Sequence, residues 1–245
     1  MTDLLAAEHL ASLVAPVVDR LRLAIHRATQ SWAAGMAREC ALDQPMGMLI
    51  GNLRNLAPGR VVTRTAVLSV SAYQAPSVVD RGIDGLIGAG LLTDIGDGHI
   101  CLTESSAGLA VDIHTGGGEV TTQLWSGQDE RVGVLAALAA RALRAAPADG
   151  GDAFALMAPL AEPVDATDSA LLAERLTGLR FHRFDAHVAA WWSAGLTVDE
   201  IKNVPPGAAR AAIELETNRR AATPYEALDP ADRLHFLAGL AALRG

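Results

Sequence analysis

The stretch "PMGMLIGNLRNLAPGRVVTRTAVLSVSAYQAPSVVDRGIDGLIGAGLLTDIGDGHICLTESSAGLA", residues 45–110, decides the fold. Its spacing predicts three helices followed by a two-strand hairpin. Gly47 to Leu56 reads as the first helix, with Met48, Leu49, Leu53 and Leu56 inward. Pro58-Gly59 signals a turn. Thr63 is placed to cap a second helix that carries Ala66, Val67 and Val70. Pro76-Ser77 opens the third, and Asp80 follows Ser77 at the spacing of a capping box. Val79, Ile83, Leu86, Ile87 and Leu91 form its inner stripe. Asp94–Gly98 is a hairpin tip, and "HICLT" alternates as a strand should.

That order is the order of a winged helix-turn-helix. The segments "VTRTAV", "VDRGIDGLIGAGLLTD" and "GDGHICLTESSAG" make it similar to the MarR-type winged helix over about 65 residues. The resemblance implies a homodimer that binds double-stranded DNA, with the third helix in the major groove and the wing along the backbone. The residues placed for that contact are Arg60, Arg64, Ser77, Arg81 and His99. Charge opposes it. Ala37 to Thr115 holds 5 arginines against 8 acidic residues, and Thr93-Asp94 stand where the family carries a basic residue. Gly82, Gly85 and Gly88 recur every three residues as a smooth ridge, which suits packing on another helix better than groove reading.

Outside this segment the chain reads as helix. Residues 4–35 repeat Leu10, Leu13, Val17, Leu21 and Ala24 at helical steps, with Pro16 as a break or kink and Arg20, Arg22 and Arg27 as a solvated face. "HTGGGE", 114–119, reads as a linker, and "PADGGDA", 147–153, as a loop. Further helices fall near 130–146, 167–178, 180–194, 197–203, 207–222 and 230–243. The fold class is therefore mainly α: N-terminal packing or dimerisation helices at 1–36, a winged helix at 37–115, and a larger all-helical domain at 119–245.

The whole chain carries a formal charge of −8, so binding to a polyanion needs a local basic patch. Cys40 and Cys101 lack the spacing of a zinc site. No apolar run spans a bilayer, and the N-terminus lacks the basic start of a signal peptide, so a cytoplasmic protein without membrane contact is expected. "GIDGLIGAG" lacks the register of a nucleotide loop. No cofactor and no metal are expected.

The second unusual stretch is "LRFHRFDAHVAAWWSAGLT", 179–197. On a helix Arg183, His187 and Trp191 share one face, and His182 and Asp185 share its neighbour. His182 and His187 lie about 140° apart around the axis, which disfavours one shared metal. Two readings stay open. In one, these residues bridge helices and fill the core. In the other, His182, Arg183, Asp185, His187 and Trp191, with Glu216, Asn218 and Arg219, line a pocket for a small apolar or aromatic ligand. The segments His182 to His187, Ala194-Gly195-Leu196 and Glu214 to Ala222 resemble the SalK-like group of helix-turn-helix proteins, with Asn218 in place of an aspartate and the winged helix upstream rather than between the motifs. The resemblance implies an architecture and a shared polar site. The functional expectation is a MarR-like, ligand-responsive transcriptional regulator. The alternative is an enzyme or small-molecule binder of specialised metabolism that keeps the winged helix as scaffold.

Overall fold

The structure, a computed structural model, describes residues 5–56, 59–146, 151–157, 160, 162–163 and 165–245. It is mainly helical, with one small antiparallel sheet. Asp43 caps α2 (Gln44–Leu53) by accepting from the Met46 amide, and Pro45 suits the first turn. Then come β1 (Val61–Thr63), α3 (Arg64–Ser69), α4 (Pro76–Gly88), β2 (Leu92–Gly96) and β3 (His99–Leu102). Thr63 accepts from the Ala66 amide, as its position predicts. The hairpin closes on Asp97-Gly98, both at positive φ, with Gly96 opposite His99. This is the two-residue turn whose twist matches that of the strands. β1 pairs with β3, giving sheet order β1-β3-β2, so a third strand joins the two expected.

The capping box at Ser77 does not form. Ala75 is the N-cap of α4 and makes no side-chain hydrogen bond, while Pro76 supplies the start. The glycine ridge does pack on a helix, and that helix is α2 of the same chain. A Cβ at Gly82 would lie 2.5 Å from Leu49 Cδ1, and one at Gly85 would lie 2.8 Å from Met46 Sδ. The ridge is thus occupied and unavailable to a partner at Gly82 and Gly85. Gly82→Val is expected to cost about 1–3 kcal/mol, because buried Leu49 has no room to yield. Gly88→Ala, with nothing within 4 Å, should instead gain up to about 1 kcal/mol. Urea denaturation of the two variants checks this contrast.

The rest is helical. α1 (Ala7–Glu39) runs unbroken through Pro16 and past Trp32. Its buried face is Leu10, Val14, Val18, Leu21 and Ile25, whereas Leu13 is 38% exposed, so the expected stripe was rotated. "HTGGGE" is no linker. It lies in the middle of α5 (Glu104–Leu124), whose first turn is capped by Thr103. α6 (Asp129–Ala145) and α7 (Asp152–Met157) follow, and the part of "PADGGDA" at 147–150 lies outside the described residues. The break expected at Gly178 is absent, and α8 (Asp168–Ser193) is one helix. A Cβ at Gly178 would lie 3.0 Å from Leu143, so this glycine serves helix packing. α9 (Val198–Asn203), α10 (Ala208–Arg220), α11 (Thr223–Glu226) and α12 (Pro230–Ala242) complete the chain.

One core joins α1, α6, α8, α11 and α12 around Trp125, Phe236, Leu135 and Leu172. A second joins α2–α4 and the sheet to α7 and to Phe181 of α8. Among the described residues no helix is long and apolar enough to cross a membrane.

Candidate functional site

The residues expected to form one pocket face two different neighbours. His182 is buried and meets the Phe154 ring edge-on at 5.4 Å. Burial pulls its pKa down to about 4. Asp185 accepts from the Phe154 amide at 2.7 Å and the Ala153 amide at 3.3 Å, so it holds the start of α7. Burial pushes its pKa up to about 6 against the pull of those two amides.

The other face of α8 meets α10. Arg183 donates to Asn218 Oδ1 (2.8 Å) and Glu214 Oε2 (3.2 Å). His187 Nδ1 lies 3.1 Å from Thr217 Oγ1, which itself donates to the Ile213 carbonyl. Thr217 therefore accepts from His187, which places the ring proton on Nδ1. Buried Trp191 donates to the Tyr73 hydroxyl at 3.3 Å, while Trp192 is 71% exposed. Glu216 pairs with Arg219 and Arg220 at 2.7 Å on the outside of α10, and their hydrogen bonds draw its pKa down to about 2. The space beside Arg183 and Tyr225 is about 20 Å³, enough for one water and too small for a ligand. The residues that share α8 thus bridge helices. Among the described residues, no three His, Cys, Asp or Glu side chains gather as a metal site.

Two of the five expected DNA contacts are engaged within the fold. Arg60 donates to the carbonyls of Ala155 (3.1 Å) and Leu156 (3.4 Å) at the end of α7. Arg64 pairs with Asp84 at 2.9 Å and with Asp94 at 3.5 Å. Ser77 and Arg81 are exposed on α4, and His99 is half-buried on β3. Asp84 shares the exposed row of α4 with Ser77, Arg81 and Gly88.

A larger site lies elsewhere. A half-open cavity of about 700 Å³ is bounded by α1, the end of α2, α5 and the start of α8. α5 contributes Ile113, His114, Gly117 and Gly118. The glycine run makes this wall. A Cβ at Gly116 would fall 2.4 Å from the Trp32 indole, so only glycine lets Trp32 lie on α5. Gly117 meets nothing within 4 Å and leaves the floor bare. Three glycines inside a helix cost about 2 kcal/mol against alanine, a burden that the cavity explains.

The inner wall is charged. Arg54, at the C-cap of α2, donates to both oxygens of Glu174 on α8 at 2.8 Å and also bonds the Gly51 carbonyl. Both side chains are under one-fifth exposed. Burial raises the Glu174 pKa, but Arg54, with help from His114 and Arg22, outweighs it and holds the carboxyl below its usual range. His114 Nδ1 stands 3.8 Å from Glu174 Oε1, its Nε2 is buried without a hydrogen bond, and burial lowers its pKa. Arg22 of α1 lines the same wall, and burial draws its pKa down to about 10. Arg22 is therefore not part of the solvated face expected of Arg20, Arg22 and Arg27. Arg20, read with Arg22 as solvated, caps the chain end by donating to the carbonyls of Leu240 and Leu243. The available sequence signal was the apolar period Leu109, Ile113, Val120, Leu124, which runs through the glycines without losing phase.

Comparison with known protein families, curated proteins and solved structures returns no match.

Proposed function

We propose that this chain is a small-molecule-binding protein whose ligand occupies the cavity between α1, α5 and α8, and that the α2–β3 module responds to it. The cavity carries this reading. Its volume of about 700 Å³ falls in the range that encloses a small organic ligand. Its walls also reach the module at two points. Arg54 ties the end of α2 to Glu174, and α5 leaves β3 through Thr103, whose hydroxyl donates to the Gly90 carbonyl at the end of α4. A ligand that favours one setting of these contacts shifts the module by its differential affinity. The test is Gly117→Leu, which fills the floor while improving helix propensity. It should melt at or above the wild type and lose binding of the neutral fluorescent probe N-phenyl-1-naphthylamine. Unchanged probe binding would overturn the cavity as the site.

A DNA-binding reading is favoured by a separate observation, the element order. The sequence α2-β1-α3-α4-β2-β3 with sheet order β1-β3-β2 supports a MarR-type winged helix, and through it a dimeric, ligand-responsive regulator. The charges weigh against it, since Asp84 and Asp94 neutralise Arg64 and Arg60 holds α7. Arg81 from each of two subunits would give a log–log salt slope of about −2. A mobility shift at low salt with the DNA upstream of its own coding region checks this, and no salt-sensitive complex would sink it.

A further inference from the structure

The inner wall of the cavity does not balance its charge. Two guanidiniums, Arg22 and Arg54, face one carboxylate, Glu174, and Arg54 takes both of its oxygens. No hydrogen bond or ion pair to Arg22 occurs among the described residues. The charges it feels act through space. After burial the largest is the repulsion of Arg54, ahead of the attraction of Glu174, and Asp19 is mostly exposed beside Arg180. His114 is held toward its neutral form and adds no compensation. A half-buried cation without a paired counterion is unfavourable, and an incoming anion relieves it. Along α1 the lining continues from Arg22 through Ile25, His26, Thr29 and Trp32, and Ile113 and Leu171 add apolar wall from α5 and α8. Glu119 and Asp165 also line the cavity but are exposed, so a multiply charged anion meets repulsion there.

Resting on the binding reading above, we propose that the cavity selects an organic monoanion, its acidic head paired with Arg22 and its apolar body against Trp32, Ile113 and Leu171. The ligand supplies what the fold leaves open, one negative charge at the inner wall of a mostly apolar chamber. Arg22 acts as the anchor and Arg54–Glu174 as the fixed partner pair behind it.

Two probes with one aromatic body separate the parts of this inference. 8-Anilinonaphthalene-1-sulfonate carries a single negative charge, and N-phenyl-1-naphthylamine is its neutral parent. The wild type should bind the sulfonate more tightly than the amine by roughly ten- to a hundredfold, the worth of one charge-assisted pair. Arg22→Met should remove that preference, leave the amine unchanged and melt no lower than the wild type. Arg22→Lys should keep part of the preference. Gly117→Leu should abolish both. If Gly117→Leu removes amine binding but Arg22→Met leaves the sulfonate preference intact, the anion inference fails and the cavity reading stands. If neither probe responds to Gly117→Leu, the cavity reading fails first. A wild type that binds both probes equally also overturns the anchor.

Discussion

Glu174→Ala is expected to destabilise the protein by about 3–5 kcal/mol, the usual loss when one member of a buried ion pair is removed. The expectation rests on what would remain. Arg54 would keep the Gly51 carbonyl but lose both carboxylate oxygens, and Arg22 would lose the one buried negative charge acting on it. Two like charges would then share a desolvated wall. The pH dependence has a definite sign. The Glu174 pKa is lower in the fold than in the unfolded chain, so its stabilisation is complete above the ordinary carboxylate range and is lost as pH falls through the folded value. Urea unfolding at neutral pH and at pH about 4 reads both effects. A loss under about 1 kcal/mol in the variant would place the pair among ordinary surface bridges.

The second large effect is hidden in the wild type by cancellation. His182 falls from 6.5 to about 4 on folding, so the stability of its neutral form is whole above pH 6.5 and is lost as pH falls toward 4. Asp185 rises from 3.8 to about 6, so its burial costs stability above pH 6, and that cost is relieved as pH falls toward 3.8. The two span nearly the same window with opposite sign, and each is worth on the order of 3 kcal/mol. Together they leave little net slope. Asp185→Asn should expose the acid lability of His182, and His182→Gln should leave stability rising on acidification. Unfolding free energies between pH 4 and 7 distinguish these slopes from a flat response in both variants, which would refute the pairing. Asp185→Ala should add the loss of the α7 cap, about 1 kcal/mol.

The parts of this fold that are legible in sequence are those with local causes. Thr63 caps three residues ahead, Asp97-Gly98 turns within its own hairpin, and Val79, Ile83 and Leu86 state the buried face of α4 by spacing alone. The glycine ridge of α4 is legible as a packing surface, though its partner is not. The cavity is illegible for the opposite reason. Gly116 is needed because Trp32 crosses it from another helix, and a glycine run states only conformational freedom locally. Arg22, Arg54, His114 and Glu174 come from four helices, so no single helical period gathers them. His182 and His187 show the converse. They are close in sequence and conspicuous together, yet opposite sides of α8 send them to α7 and α10.

The notch that Gly82 and Gly85 cut for Leu49 and Met46 has a mechanical meaning. Backbones seated this closely leave no clearance for one helix to slide along the other. If the proposed ligand displaced Arg54 at the end of α2, α4 would be expected to turn with α2 as one piece, carrying the exposed row from Ser77 to Gly88.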